Sequence, residues 1–160
     1  MMYLDNSSKT VLVVNAEFPA PTIINAVAHT TLGLAAANAV SAWNLLPYPS
    51  PAFSVESRIS EYPVIVLRSK RSSPLERLVL QLKGMDIVHN AFIDSMLGVS
   101  AVEQQSATLA AEPGKNRIVC VGLFGSESEI RPLIKSFSLY KTSDSLAHAA
   151  PSVEIGAMAR

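Results

Sequence analysis

The chain holds one cysteine, Cys120, in 160 residues. A single thiol cannot build a disulfide framework or a cysteine-rich zinc site within one chain. Its place in the apolar run Ile118–Leu123 predicts an inert buried residue, suits a reducing compartment and points to the cytoplasm. Net charge is missing as well, because 13 basic residues balance 13 acidic ones. A protein that grips a phosphate backbone usually carries a clear basic excess, so nucleic acid is a poor candidate partner. The clusters Arg68, Lys70, Arg71 and Lys115, Arg117 read as solvated charge at element ends. Three histidines without HxH or HExxH spacing argue against a metal, and no cofactor is expected. GxGxxG, Walker A and GxSxG patterns are absent too, and no internal repeat is visible. The N-terminus lacks a basic stretch followed by an apolar one, so no secretory signal is expected.

Charge is also absent locally: no Lys, Arg, Asp or Glu lies between Glu17 and Glu56. Within that window, Ile23 to Trp43 is long enough to span a bilayer. It is interrupted by Asn25, His29, Thr30, Thr31, Asn38 and Ser41, and Pro47, Pro49 and Pro51 follow. The reading is a helix buried on most sides in a soluble protein, with no membrane partner.

What is present is a globular composition, 49% hydrophobic and 16% charged, of a length that suits one domain with a real core. Residues 1–8 read as a leader, 9–141 as a single domain and 142–160 as a loosely held tail. Lys9–Asn15 is a β-branched run fit for a central strand. Glu17–Pro21 is a loop, and a helix starts at Pro21 or Thr22 and ends near Asn38 or Trp43. Leu46–Ser54 is a proline-rich surface connection, with a short edge segment around Ser57–Ser60. Tyr62–Arg68 is a second strand. Ser73, Pro74 and Glu76 predict a capped helix start, with Leu75, Leu78, Val79 and Leu82 as its apolar stripe and Gly84 at its end. Met85–Phe92 is a third strand, Ile93–Val99 a loop or short helix, and Ala101–Ala111 weakly helical or irregular. Arg117–Phe124 is a fourth strand, Ser126 caps a short helix over Glu127–Ile134, and Phe137–Tyr140 is a short edge strand. This order predicts an α/β fold, a three-layer α/β/α sandwich on a mixed sheet of about four strands.

The chemistry-bearing residues concentrate on the first helix. Thr22, Asn25 and His29 fall at i, i+3 and i+7 and so share one face. Either they line a cleft, with His29 as acid, base or donor, or His29 is a half-buried histidine with one partner. Asp94 follows the third strand and orients a histidine, serves as a base, or caps a turn at the strand end. Gly122-Leu123-Phe124-Gly125-Ser126 reads as a tight strand-to-helix turn.

Lys9, Val11–Val14, His29, Leu32 and Gly33 match a pattern of Lys-x-Val-Leu-Val-Val followed by a helix reading Ala-Ala-Gln-x-x-His-Ala-x-Leu-Gly. In this the chain resembles the type II peptidyl-tRNA hydrolases, and the resemblance implies their fold. The functional positions depart from that pattern. Thr22 stands where the family has lysine, Ala26 where it has glutamine, and Asn90-Ala91 where it has Asp-Ala. A phosphate-holding or carbonyl-polarising cation and a base are thereby missing. The chain is more similar to the related bacterial family catalogued only as a domain of unknown function, number two thousand. The resemblance implies a relative without the hydrolase centre, binding a small ligand or partner in a cleft lined by Thr22, Asn25, His29 and Asn90. The enzyme alternative is an ester hydrolase of peptidyl-tRNA or a related aminoacyl ester, with His29 and Asp94 as its catalytic candidates. The third reading is an interaction module that forms a homodimer through an apolar surface.

Overall fold

The computed structural model describes residues 5–37 and 40–141. The expected tail, 142–160, and the first four residues of the expected leader lie outside the described residues.

Strand β1, Ser8–Asn15, is the axis of the molecule. Its Val11 and Val13 point to one face of the sheet and Leu12 and Val14 to the other, all of them buried. A strand covered on both faces needs this uninterrupted apolar run. β4 (Val64–Ser69) lies beside it in parallel, and β6 (Ile118–Ser126) on the other side antiparallel. β5 (His89–Ile93) pairs with β6, and β7 (Ser138–Leu139) with β4, both antiparallel. The sheet is therefore mixed and, among the described residues, has five strands in the order β5-β6-β1-β4-β7, against the four expected. The fifth is the short edge strand expected at Phe137–Tyr140, which spans Ser138–Leu139 and pairs with Leu67 and Arg68.

Helix α1, Ala20–Ala37, covers one face, burying Ile23, Ala26, Thr30 and Leu34. Helices α2 (Ser72–Gly84) and α4 (Glu127–Ile134) cover the other, through Leu75, Leu78, Leu82 and Ile130. α1 is not buried on most sides: Ile24 and Leu32 are exposed, and only one stripe faces the sheet. Its composition looks membrane-like because its exposed face carries Ile24, Asn25, Ala28, His29 and Leu32 rather than charge. Among the described residues no helix is long and apolar enough to cross a membrane.

Three further expectations need correction. Leu45–Ser50 is a strand, β2, and pairs antiparallel with β3, Val55–Ser60, in a separate two-stranded ribbon. Pro47 and Pro49 are tolerated because a ribbon edge needs no donor there. Ser73 is not the cap of α2; Arg71 takes that place with no side-chain bond. Ser72 Oγ instead accepts Ile118 N at 2.9 Å and donates to Glu76 Oε1 at 3.0 Å, tying the helix start to β6. Pro74 then falls within the first turn, whose N–H groups have no intrahelical partner to lose. Finally, Gly122–Ser126 is not a turn but the second half of β6. A Cβ at Gly122 would lie 2.7 Å from Thr30 Cγ2 and 3.0 Å from Leu12 Cδ2, so this glycine lets α1 close onto the sheet. The Ser126 cap of α4 is present as a full capping box with Glu129.

Candidate functional site

A cleft of about 1070 Å³ opens between α1, β5 and the segment that follows β5. Its far wall is a 3₁₀ turn, Asp94–Met96, and helix α3, Ala101–Leu109. β5 sits at the sheet edge, so one side of its α1-facing surface has no neighbouring strand. The connection from β5 to β6 folds back over that gap and makes the cleft.

Asn25 and His29 reach the cleft from α1 and Asn90 from β5. His29 is exposed, not a half-buried core histidine, and its ring stacks on Phe92 with centroids 5.9 Å apart and planes 30° apart. Asn90 Nδ2 donates to the Thr30 carbonyl at 3.2 Å, linking β5 to α1 across the cleft floor. Gly33 makes that link sterically feasible, because a Cβ there would stand 2.1 Å from Asn90 Nδ2. Asn90 Oδ1 accepts no hydrogen bond among the described residues, leaving an acceptor for a ligand.

Two candidates lie elsewhere. Thr22 is half-buried and does not line the cleft. One turn separates it from Asn25, and the cleft begins at the later residue. Asp94 also points away. It accepts Asn116 Nδ2 at 3.1 Å and pairs with Arg117 Nε at 3.6 Å, while the Arg117 guanidinium lies 4.4 Å over the Phe18 ring. These contacts hold the loops after β1 and before β6 together, a structural role for the carboxylate.

The α3 side of the wall was not legible as a site from the sequence. Met96, Gln104, Gln105 and Thr108 line the cleft from there. One signal was available: Ser100-x-x-Glu103 has helix-start spacing, and Ser100 Oγ accepts Glu103 N at 3.3 Å. No residue of α3 is buried, so no apolar stripe announced it.

Beneath the cleft, Cys120 of β6 is a free, fully buried thiol. Burial pushes its pKa from 9.0 up to about 12, opposed by the Thr30 hydroxyl beside it. Among the described residues that hydroxyl finds no nitrogen or oxygen partner. The thiol is therefore no nucleophile at neutral pH. Among the described residues no group of three or more His, Cys, Asp or Glu could hold a metal.

The chemistry of the cleft is distinctive in what it omits. Among the described residues no Asp, Glu, Lys or Arg lines it; the polar groups are His29, the amides Asn25, Asn90, Gln104 and Gln105, and Thr108. The fold and cleft together define a mixed α/β protein with an amide-rich cleft at a sheet edge. The chain belongs to the family described as Protein of unknown function (DUF2000), whose model matches residues 8–141. No curated protein matches it. Among solved structures it is similar to a protein of unknown function, Atu0240, from Agrobacterium tumefaciens strain C58. That likeness has a TM-score of 0.70 at 15% identity and covers 84% of this chain and 98% of the other. At that identity it speaks for the fold alone.

Proposed function

We propose that this protein binds a small uncharged organic ligand in the cleft beside α1 and does not hydrolyse esters. The observation that carries this is that, among the described residues, no carboxylate, lysine or arginine lines the cleft. A phosphate or carboxylate ligand would enter without a counter-charge, and an attacking water would have no carboxylate base. A planar ligand, by contrast, meets the stacked His29 and Phe92 rings, with amides spaced around them to fix its polar edge.

The resemblance to type II peptidyl-tRNA hydrolases enters here as part of the proposal. In this reading the chain keeps the strand-and-helix frame and carries Thr22, Ala26 and Asn90 in place of the hydrolase centre. Asp94 does not restore a base, because Asn116 and Arg117 engage it. A cytoplasmic location is supported by the buried free thiol, which suits a reducing compartment.

The test uses calorimetry with a panel of neutral aromatic amides, beside the same panel of aromatic phosphates and carboxylates. Binding is expected for neutral members alone. His29→Ala should weaken it by roughly tenfold while unfolding at the wild-type temperature, since the ring is exposed and its loss removes one stacking contact. Peptidyl-tRNA cleavage by the wild type that disappears in His29→Ala would overturn the non-hydrolytic reading.

A further inference from the structure

The β2–β3 ribbon (Leu45–Ser60) is joined to the body at its root, where Phe124 packs between Trp43 and Tyr62. Beyond that root its strands pair with each other and with no strand of the main sheet. A two-stranded ribbon has two free edges, and the two differ here. Glu61 N donates to the Asn44 carbonyl at 3.1 Å, which marks the Asn44–Glu61 pair as hydrogen-bonded. Such pairs alternate along an antiparallel ladder. With the observed register, the hydrogen-bonded pairs are then Leu46–Ile59, Tyr48–Ser57 and Ser50–Val55. Pro47 and Pro49 fall at the outward positions of β2, so that edge has lost its donors and is closed to strand addition. On β3 the outward backbone groups belong to Glu56, Arg58 and Ser60, and among the described residues this edge is open.

The β3 sequence Val55-Glu56-Ser57-Arg58-Ile59 is complementary to itself when read backwards. We infer that the β3 edge pairs antiparallel with the β3 edge of a second copy of this chain, about a two-fold axis at Ser57. In that register Glu56 faces Arg58 of the partner subunit, and Arg58 faces the partner's Glu56. Val55 faces the partner's Ile59 on the opposite side of the sheet, and Ile59 the partner's Val55. The Glu56–Arg58 pairs are also the ones whose backbone groups point outward, so charge pairing and ladder bonding coincide. A two-fold axis repeats each contact, as an isologous interface requires. The result is a continuous four-stranded sheet.

The exposed groups fit this use. Val55 and Ile59 are 50% and 53% exposed, on the same ribbon face as Tyr48. Glu56 and Arg58 now pair within the strand at 3.3 Å, with side chains 55% and 61% exposed. An exposed pair of that kind holds the side chains only weakly and exchanges for a pair across the axis at little cost. A foreign strand would have to match both charges in order, whereas a second copy does so by symmetry. The ribbon edge is distant in sequence from the cleft and independent of the ligand reading.

The test is the mass in solution of the full chain, by light scattering over a concentration series. The wild type should dimerise. Glu56→Arg and Arg58→Glu should each weaken the dimer by roughly tenfold or more, because each places like charges opposite one another twice. An equimolar mixture of these two variants should form a heterodimer, since every facing pair is again opposite in charge. The double variant Glu56→Arg, Arg58→Glu should recover the homodimer. Far-UV circular dichroism of each variant separates a lost interface from a lost fold. A monomeric wild type, a dimer that ignores the single reversals, or a mixture that stays monomeric would each overturn the inference.

Discussion

Asn90 carries the tether between β5 and α1 in one side chain. Its amide donates to a backbone carbonyl of α1. A carboxylate at the same place would set acceptor against acceptor, half-buried at the cleft floor. Asn90→Asp is therefore expected to destabilise the fold by about 1–3 kcal/mol near neutral pH. The deficit should shrink under acid, when the carboxyl regains a proton to donate. Urea midpoints for Asn90→Asp and Asn90→Ala check this: an Asp variant as stable as wild type would remove the tether from the account. Cys120 makes a second prediction. In the unfolded chain the thiol ionises near its ordinary value of 9.0, in the fold only near about 12. Across that window the unfolded state binds fewer protons, so stability falls as pH rises, by at most about 1.4 kcal/mol per pH unit. Below the lower value the contribution is complete. Cys120→Ala should flatten the alkaline limb of the stability profile, and a stability difference from wild type that stays constant with pH would refute the assignment.

Among the α-helices of the described residues, α3 stands apart because it is held by polar contacts instead of a core. Thr108 Oγ1 and Ser95 Oγ lie 3.1 Å apart, and Gln104 Nε2 donates to the Gly98 carbonyl at 2.9 Å. With no buried residue, its local opening should cost far less than global unfolding. Amides of Gln105–Leu109 are expected to exchange with solvent roughly a hundredfold or more faster than those of Val11–Val14. A neutral ligand in the cleft should slow α3 and leave β1 unchanged, because α3 forms one wall and β1 none. Equal protection of α3 and β1 without ligand would mean that the wall is part of the rigid core. The same physics explains the sequence reading: α1, α2 and β1 advertise themselves through buried stripes, and an element that buries nothing has no stripe to show.

Across the whole molecule, the legible parts were those where local composition and tertiary burial agree. The apolar run Val11–Val14 could only be a covered central strand, and the stripe Leu75, Leu78, Leu82 could only be a helix face against it. The capping box at Ser126 is local by nature and was readable for that reason. Asn25 and His29, four residues apart on one helix, were bound to share a side, and the same side meets Asn90. The sequence also determined that no disulfide can form within the chain, since it holds one thiol, and that no Walker A or GxSxG motif is present. Tertiary structure alone decided the rest. Gly122 became a close-packing position only once α1 lay across β6, and the prolines of Leu45–Ser50 became a strand only once β3 paired with it. Asp94 was committed to Asn116 and Arg117, and Thr22 was left outside the cleft, by where three loops meet. Such outcomes depend on contacts between residues far apart in the chain, and local pattern carries no record of distance in space.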